Sequence, residues 1–447
     1  MEETRENKMG IMPVNKLIVR MSLPLMASML FQALYNIVDS IFVAKLNQDA
    51  MNAVSLAFPF QSLVMAFGVG TGVGINALLS RSLGEGNRDA ADRSANTGIF
   101  LYVCMAVMFS VLGILFARPY YAFQTKNENI IHYGEQYIRV CVGFCYAVFG
   151  QVCGERLLQS TGRTDLAMIP QISGAVFNMI FDPILIFGLF GFPRLEVKGA
   201  AIATACGQVL AAVIAFTLNV KKNKEIHLSF RKIRYDSKTA KEIFRIGLPS
   251  IILQAIGSVM NFCLNNILIA FTEAATAAFG AYYKIQSFIF MPVFGLNNAT
   301  VPIVAYNYGA KYYDRVKRAV KTTILIAVAI MTAGFIAFET VPGALLSLFS
   351  PTAEMLAVGK TAFRVIGVHF PLAGFCIIAG SVCQALGKPT YSLITSVCRQ
   401  VVVLLPAAWL LSLTGRLELV WLAFPIAEIV SLTLSIIFLK KTFAALQ

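Results

Sequence analysis

The chain has 447 residues, of which 57% are hydrophobic and only 13% charged, with a mean hydropathy of +0.70. A soluble protein carries about a quarter charged residues, so a water-soluble fold is excluded. The balance of 37 Lys+Arg against 23 Asp+Glu gives a net charge of +14. Such a balance elsewhere points to nucleic acid, but here the basic residues are sorted by loop, which argues for no nucleic-acid partner.

The apolar residues fall in blocks of about 20–28, the length that crosses a hydrocarbon core about 30 Å thick. The polar opening, Met1 to Lys16, is followed by a block too long for a signal peptide and without a cleavage site, so the first span is expected to stay in the membrane. In chain order the pattern predicts twelve helices, at 17–44, 53–79, 95–117, 135–158, 166–189, 199–220, 242–270, 277–305, 319–340, 358–385, 390–412 and 417–439. Barrel strands would be short and alternating, which these blocks are not. The N-terminus, the even-numbered loops and the tail hold about 26 Lys and Arg, against about eight in the odd-numbered loops. Arg81, Arg88, Arg93, Lys311, Arg315, Lys317 and Arg318 are among them. That asymmetry predicts cytoplasmic termini and a multi-pass protein of the cell inner (plasma) membrane.

Residues 221–241 form the only polar stretch long enough to join two halves. Lys221, Lys222, Lys224, Arg231, Lys232, Arg234, Lys238 and Lys241 make it basic, as suits a linker lying on anionic headgroups. The halves repeat. A shift of 225 residues carries Arg20, Leu23 and Pro24 onto Arg245, Leu248 and Pro249, and Asn36 onto Asn261. The same shift pairs Gln61 with Gln286, Gly70 with Gly295, Gly84 with Gly309, Arg93 with Arg318, Gln159 with Gln384, and Gly162 with Gly387. Six helices per half make the repeat parallel, an arrangement used by alternating-access transporters. The expected fold is therefore an all-α integral membrane protein with twelve transmembrane helices in two pseudo-symmetric six-helix lobes. The lobes are residues 1–220 and 242–447, with 221–241 as the cytoplasmic linker.

Acids inside spans need a partner, a proton or water. Asp39 lies about 22 residues into the first helix, Asp182 about 16 into the fifth and Thr204 about five into the sixth; at 1.5 Å per residue all three reach similar depth. Gln32, Tyr35, Asn36 and Asp39 recur every three to four residues and so share one helix face. Asn178 and Asp182 are four apart, directly before Pro183, whose missing N–H frees a carbonyl one turn back. Two carboxylates, an amide and a hydroxyl suit Na⁺; the same carboxylates at low dielectric could instead hold H⁺. Each acid could also simply bond neighbouring helices.

In the second half, Arg399 and Glu428 lie at similar depth and are expected to form a structural ion pair, with a substrate or second-ion role as the alternative. Arg139 and Arg364 lie near outer ends, where their side chains can snorkel. Amides at Gln254, Asn261, Asn265, Asn266, Gln286, Asn297 and Asn298 interleave with Met260, Phe288, Phe290 and Met291. Amides beside adaptable sulfur and aromatic surfaces suit flat organic cations, though amides also join membrane helices.

Gly68-Val-Gly-Thr-Gly-Val-Gly74 imitates a phosphate loop, but it lies within a membrane helix with no strand before it, so small-residue helix packing is expected. No Walker-type loop, metal-spaced histidine or catalytic constellation occurs among the residues, and the nine cysteines read as buried free thiols. The expected protein is not an enzyme, needs no cofactor and draws its energy from an ion gradient.

Several motifs resemble the multidrug and toxic compound extrusion (MATE) family, in particular its MepA-like bacterial branch. They are Leu23-Pro24, Leu83-Gly84-Glu85-Gly86-Asn87, Gln159-Ser160-Thr161-Gly162-Arg163, Asn178-x-x-x-Asp182-Pro183-x-Leu185-Ile186, Val197-x-Gly199-Ala200-Ala201-x-Ala203-Thr204, and Ala305-Tyr306-Asn307-Tyr308-Gly309. The resemblance spans nearly the whole chain. It implies efflux by antiport with H⁺ or Na⁺, and a first-lobe ion site at Asp39, Asn178, Asp182 and Thr204. Some branches carry acids on helices seven and ten for a second-lobe site. Here helix seven offers Asn261, Asn265 and Asn266, with Glu273 only at its end, and helix ten has none.

The leading expectation is a monomeric antiporter, embedded in the lipid bilayer, that exports small organic cations or multiple drugs. Its substrate-contacting residues would be Gln32, Tyr35, Asn36, Gln61, Met260, Asn261, Asn265, Gln286 and Met291. The alternative is a lipid-linked oligosaccharide flippase of related architecture, which would usually have extra helices and a basic cavity. A membrane enzyme or receptor finds neither a catalytic set nor a sizeable extramembrane domain.

Overall fold

The computed structural model describes residues 7–44, 46, 48–228, 235–349 and 351–445. Arg231, Lys232 and Arg234 of the linker, and the first six residues of the polar opening, lie outside the described residues. The first six spans are α1 (Val14–Ala44), α2 (Gln48–Gly84), α3 (Arg88–Gln124), α4 (Glu128–Gly143 with Cys145–Ser160), α5 (Thr164–Phe187) and α6 (Glu196–Lys222). The second six are α7 (Ser237–Ile269), α8 (Glu273–Gly309), α9 (Tyr313–Thr340), α10 (Ala353–Gly367 with Phe370–Ala385), α11 (Pro389–Ser412) and α12 (Leu417–Ala444). Among the described residues ten are single helices long and apolar enough to span, and α4 and α10 are pairs bent by 44° and 48°, which, with each pair taken as one span, brings the spans to twelve.

The repeat is visible in the backbone. α2 and α8 are both 37 residues long, with ends offset by 225. The bends at Phe144 and at Val368–His369 occupy the same register; Pro371 opens the segment after the second, while no proline stands beside the first. Helix exits match as well. Gly162 (φ 81°) pairs with Gly387 (φ 77°), and Gly86 (φ 71°) with Lys311 (φ 60°). Each exit is closed by a hydrogen bond five residues back: Arg163 N–H to Leu158 O, Lys388 N–H to Cys383 O and Tyr312 N–H to Asn307 O, all 2.8 Å, and Asn87 N–H to Ser82 O at 3.0 Å. This is the usual glycine-dependent helix stop. Lys311 adopts it without glycine, at a cost of about 1–2 kcal/mol.

Helices α2, α3 and α8 run several residues beyond the apolar blocks at each end. Apolar blocks mark only the hydrocarbon-facing length, whereas backbone hydrogen bonding continues until a cap stops it. At the start of α3 the Asn87 side chain accepts from the Ala90 N–H at 3.0 Å.

The chain forms two compact units, one of Met1–Asn7 with Ala27–Ile251 and one of Lys8–Met26 with Ile252–Gln447. The opening halves of α1 and α7 are thus each built into the unit that holds the other half of the sequence. Glycines allow this. In the first unit a Cβ on Gly74 would lie 2.1 Å from the Ile243 carbonyl oxygen, and one on Gly247 would lie 2.3 Å from the Gly70 oxygen. In the second, a Cβ on Gly295 would lie 2.6 Å from the Met26 backbone. The second unit also has an aromatic core in which Tyr282 packs against Phe338, Phe363, Phe370 and Phe424, at centroid distances of 6.0–6.5 Å.

Candidate ion and substrate sites

In the first unit, α5 and α6 approach at glycines. A Cβ on Gly174 would lie 2.9 Å from the Gly207 oxygen, and one on Gly207 would lie 2.8 Å from the Gly174 oxygen. Contact this close lets short side chains one turn away meet. With its amide nitrogen toward Asp182, Asn178 donates to Oδ2 at 2.8 Å, and its amide oxygen accepts from the Thr204 N–H at 3.1 Å and the Thr204 hydroxyl at 3.0 Å. Asp182 is fully buried and Asn178 nearly so.

Asp39 comes from α1, and its carboxyl is within hydrogen-bonding reach of Asp182. Its Oδ1 is buried without a hydrogen-bond partner. The structure therefore brings together Asp39, Asn178, Asp182 and Thr204, four oxygen-bearing side chains from three helices. Two acids and an orphaned oxygen leave the cluster short of a positive charge or a donor, the condition for holding a small cation or a proton. Pro183 extends this, because it offers no N–H to the Met179 carbonyl. Towards the Phe187 end, Ile186 and Ala200 pack with Phe42, Leu46, Val54 and Phe187 and close the cluster with apolar surface.

The rest of the α1 face divides. Gln32 accepts from Gln171 on α5 at 2.9 Å. Tyr35 lies close enough to Asp39 and Asp182 to feel their charge, as does Tyr137 to Asp39. Gln61 of α2 donates to the Tyr137 hydroxyl at 3.2 Å. Asn36 is exposed. Sequence reasoning missed Gln171, Tyr137 and Cys141. Tyr137 and Cys141 sit on the first segment of α4, whose approach to Asp39 no spacing rule reveals; Gln171 could have been found as a polar residue two turns before Asn178 on α5.

In the second unit Arg399 Nη1 donates to Glu428 Oε2 at 3.3 Å. Glu428 is buried, while a quarter of the Arg399 side chain stays exposed. Met260, Asn261, Asn265, Gln286 and Met291 are half-buried. Among the described residues no direct hydrogen bond joins these amides, and the Asn261 Oδ1 atom is buried without a partner.

The family model described as MatE matches residues 24–184 and again 249–410, two matches that begin 225 residues apart. The FAD transporter of Shewanella oneidensis is 28% identical over 418 residues, which is 93% of this chain and 92% of that protein. The multidrug export protein MepA of Staphylococcus haemolyticus is 25% identical over 409 residues, 91% of this chain and 89% of that protein. A solved structure described as an outward-facing conformation of a multidrug resistance MATE family transporter of the MOP superfamily aligns with a TM-score of 0.93 at 26% identity. That alignment covers 100% of this chain and 99% of the other.

Proposed function

The chain belongs to the MatE family of membrane transporters, and from that premise we propose that it is a secondary antiporter exporting small organic cations in exchange for H⁺ or Na⁺. The observation that carries this reading is the meeting of Asp39 with Asp182, Asn178 and Thr204, with one carboxylate oxygen left unpartnered. The coupling ion binds there, and the lobes encoded by 1–220 and 242–447, joined by the linker 221–241, alternate access between the two sides of the cell membrane. Loading the ion draws α1 towards α5 at Asp39 and shifts the polar face that carries Gln32, Tyr35 and Asn36. The ion must bind the two access states with different affinity, since equal affinity would shift nothing.

Gln32, Tyr35, Asn36 and Gln61 in one lobe, and Met260, Asn261, Asn265, Gln286 and Met291 in the other, supply polar and soft contacts to cargo. The termini are cytoplasmic, the unit of function is the monomer, and no bound cofactor or catalytic step is required. A second reading is favoured by one observation, the relative named FAD transporter: on it the cargo is a flavin dinucleotide, an anion.

Reconstitution in liposomes tests both. Ethidium and FAD uptake are followed under imposed Na⁺ or pH gradients, with wild type beside Asp39→Asn and Asp182→Asn. Gradient-driven ethidium movement lost in both variants supports the leading reading and identifies the ion. Gradient-driven FAD movement without ethidium movement supports the second. Movement that ignores both gradients overturns ion coupling.

A further inference from the structure

The Arg399–Glu428 pair of the second unit is half-engaged. A guanidinium has five N–H donors, and among the described residues that of Arg399 makes one hydrogen bond, at 3.3 Å. Glu428 is buried, yet its Oε1 has no hydrogen-bond partner. Next to Arg399 in the chain, Gln400 is also buried, and its Oε1 is likewise unpartnered. Donors are left over on the arginine and acceptors on the acid and the amide.

These residues sit on a disturbed stretch of helix. Cys398–Leu404 of α11 is wound as a π-helix just ahead of Pro406, whose missing N–H breaks the regular ladder. The repeat shows that this is not needed to build such a unit. In the first unit the register of Arg399, Gln400 and Glu428 is occupied by Gly174, Ala175 and Ala203, and α5 there is an unbroken α-helix. Small residues pack that position closely, whereas a buried ion pair at best breaks even against apolar packing. Opposite Gln400 there is room: a Cβ built on Gly257 of α7 meets nothing nearer than Gln400 Oε1, at 3.8 Å. A charged side chain at membrane depth turns its exposed part to water rather than to lipid, so the open quarter of Arg399 faces an aqueous space.

We propose that Arg399, Gln400 and Glu428 form a subsite that selects zwitterionic cargo. The free Arg399 N–H groups take a carboxylate, and the free oxygens of Glu428 and Gln400 take the hydrogens of a cationic amine. A purely cationic molecule can use only the acceptor half and pays the proximity of the guanidinium. The inference rests on the export reading but concerns a different unit from the coupling cluster, so the two fail separately.

A matched pair of dyes tests it. Rhodamine 110 carries a free carboxylate, and rhodamine 123 is its methyl ester, a cation with the same ring system. Binding to the full-length purified protein is read by fluorescence polarisation, and transport by dye movement in proteoliposomes. The double variant Arg399→Gln with Glu428→Gln removes both charges together and leaves no lone buried ion. It is expected to weaken rhodamine 110 binding about tenfold or more while rhodamine 123 binding changes less than about twofold. Gly257→Leu keeps the ion pair but fills the gap beside Gln400, and is expected to produce the same selective loss. Equal losses for both dyes, no loss for rhodamine 110, or a wild type that binds the ester as tightly as the acid each overturn the proposal. Because binding needs no gradient, selective binding with no gradient-driven transport would sink the export reading and leave the subsite standing.

Discussion

Replacing Asp39 by Asn changes one oxygen for a nitrogen and removes one of the two charges in the coupling cluster. A monovalent cation about 4 Å from a carboxylate, at an effective dielectric of about 20, gains about 4 kcal/mol from it. The repulsion between Asp39 and Asp182 is present before and after the ion binds and cancels from its affinity. The asparagine oxygen still points a dipole at the ion and restores about 1–2 kcal/mol. The net loss is about 2–3 kcal/mol, or about 30–150-fold in affinity at 1.4 kcal/mol per decade. The assay is ethidium movement in proteoliposomes across a series of Na⁺ concentrations at fixed pH, giving the half-saturating ion concentration. The variant should raise it by that factor, and relief of the carboxylate repulsion should leave the ion-free protein no less heat-stable than wild type. A shift under about threefold, with normal protein folding, would show that Asp39 does not face the ion and would refute the reasoning.

Three further outcomes are expected. Gly207→Ala sets a methyl group 2.8 Å from the Gly174 oxygen, so it should destabilise by about 1–3 kcal/mol and separate Asn178 from Thr204; an unchanged melting temperature would contradict the close α5–α6 contact. Arg315 donates to the Met9 oxygen at 3.0 Å, the Met12 oxygen at 2.7 Å and Asn307 Oδ1 at 2.9 Å. Arg315→Ala should therefore free the Lys8–Ile11 helix and expose it to limited proteolysis, whereas cleavage no faster than in wild type would deny the tether. Burial raises the pKa of Glu225 above its ordinary value, against the opposing pull of Arg88 and Arg163. An acid with a raised folded pKa costs stability as pH climbs, so Glu225→Gln should raise the melting temperature at pH 7–8. That gain should vanish below pH 4.5, the ordinary value; a gain that persists at pH 4 would point to packing instead of charge.

The spans, their number and the repeat were legible because they depend on local composition. About 20 apolar residues must be helical in lipid whatever their neighbours are, since every backbone polar group has to be satisfied within the segment. The repeat survives for a related reason: Gly162 and Gly387 are needed wherever a helix exits through the left-handed region, so the same register recurs in both halves. Depth was legible too, because rise per residue is constant, and Asp39, Asp182 and Thr204 could be placed at one level by counting.

Only the tertiary structure decided which side chains at that level meet. Depth says nothing about rotation around a helix axis or about which helices are neighbours. It took the Gly174–Gly207 contact to set Asn178 on Thr204, and the first segment of α4 to bring Tyr137 and Cys141 beside Asp39. The bend at His369 is marked by Pro371, which removes the hydrogen bond to the Gly367 carbonyl, whereas the matching bend at Phe144 follows Gly143 with no proline beside it, so packing has to select it. The assignment of the opening halves of α1 and α7 to opposite units follows from glycines whose value lies in what approaches them. What approaches a glycine is a property of the fold, and composition carries no trace of it.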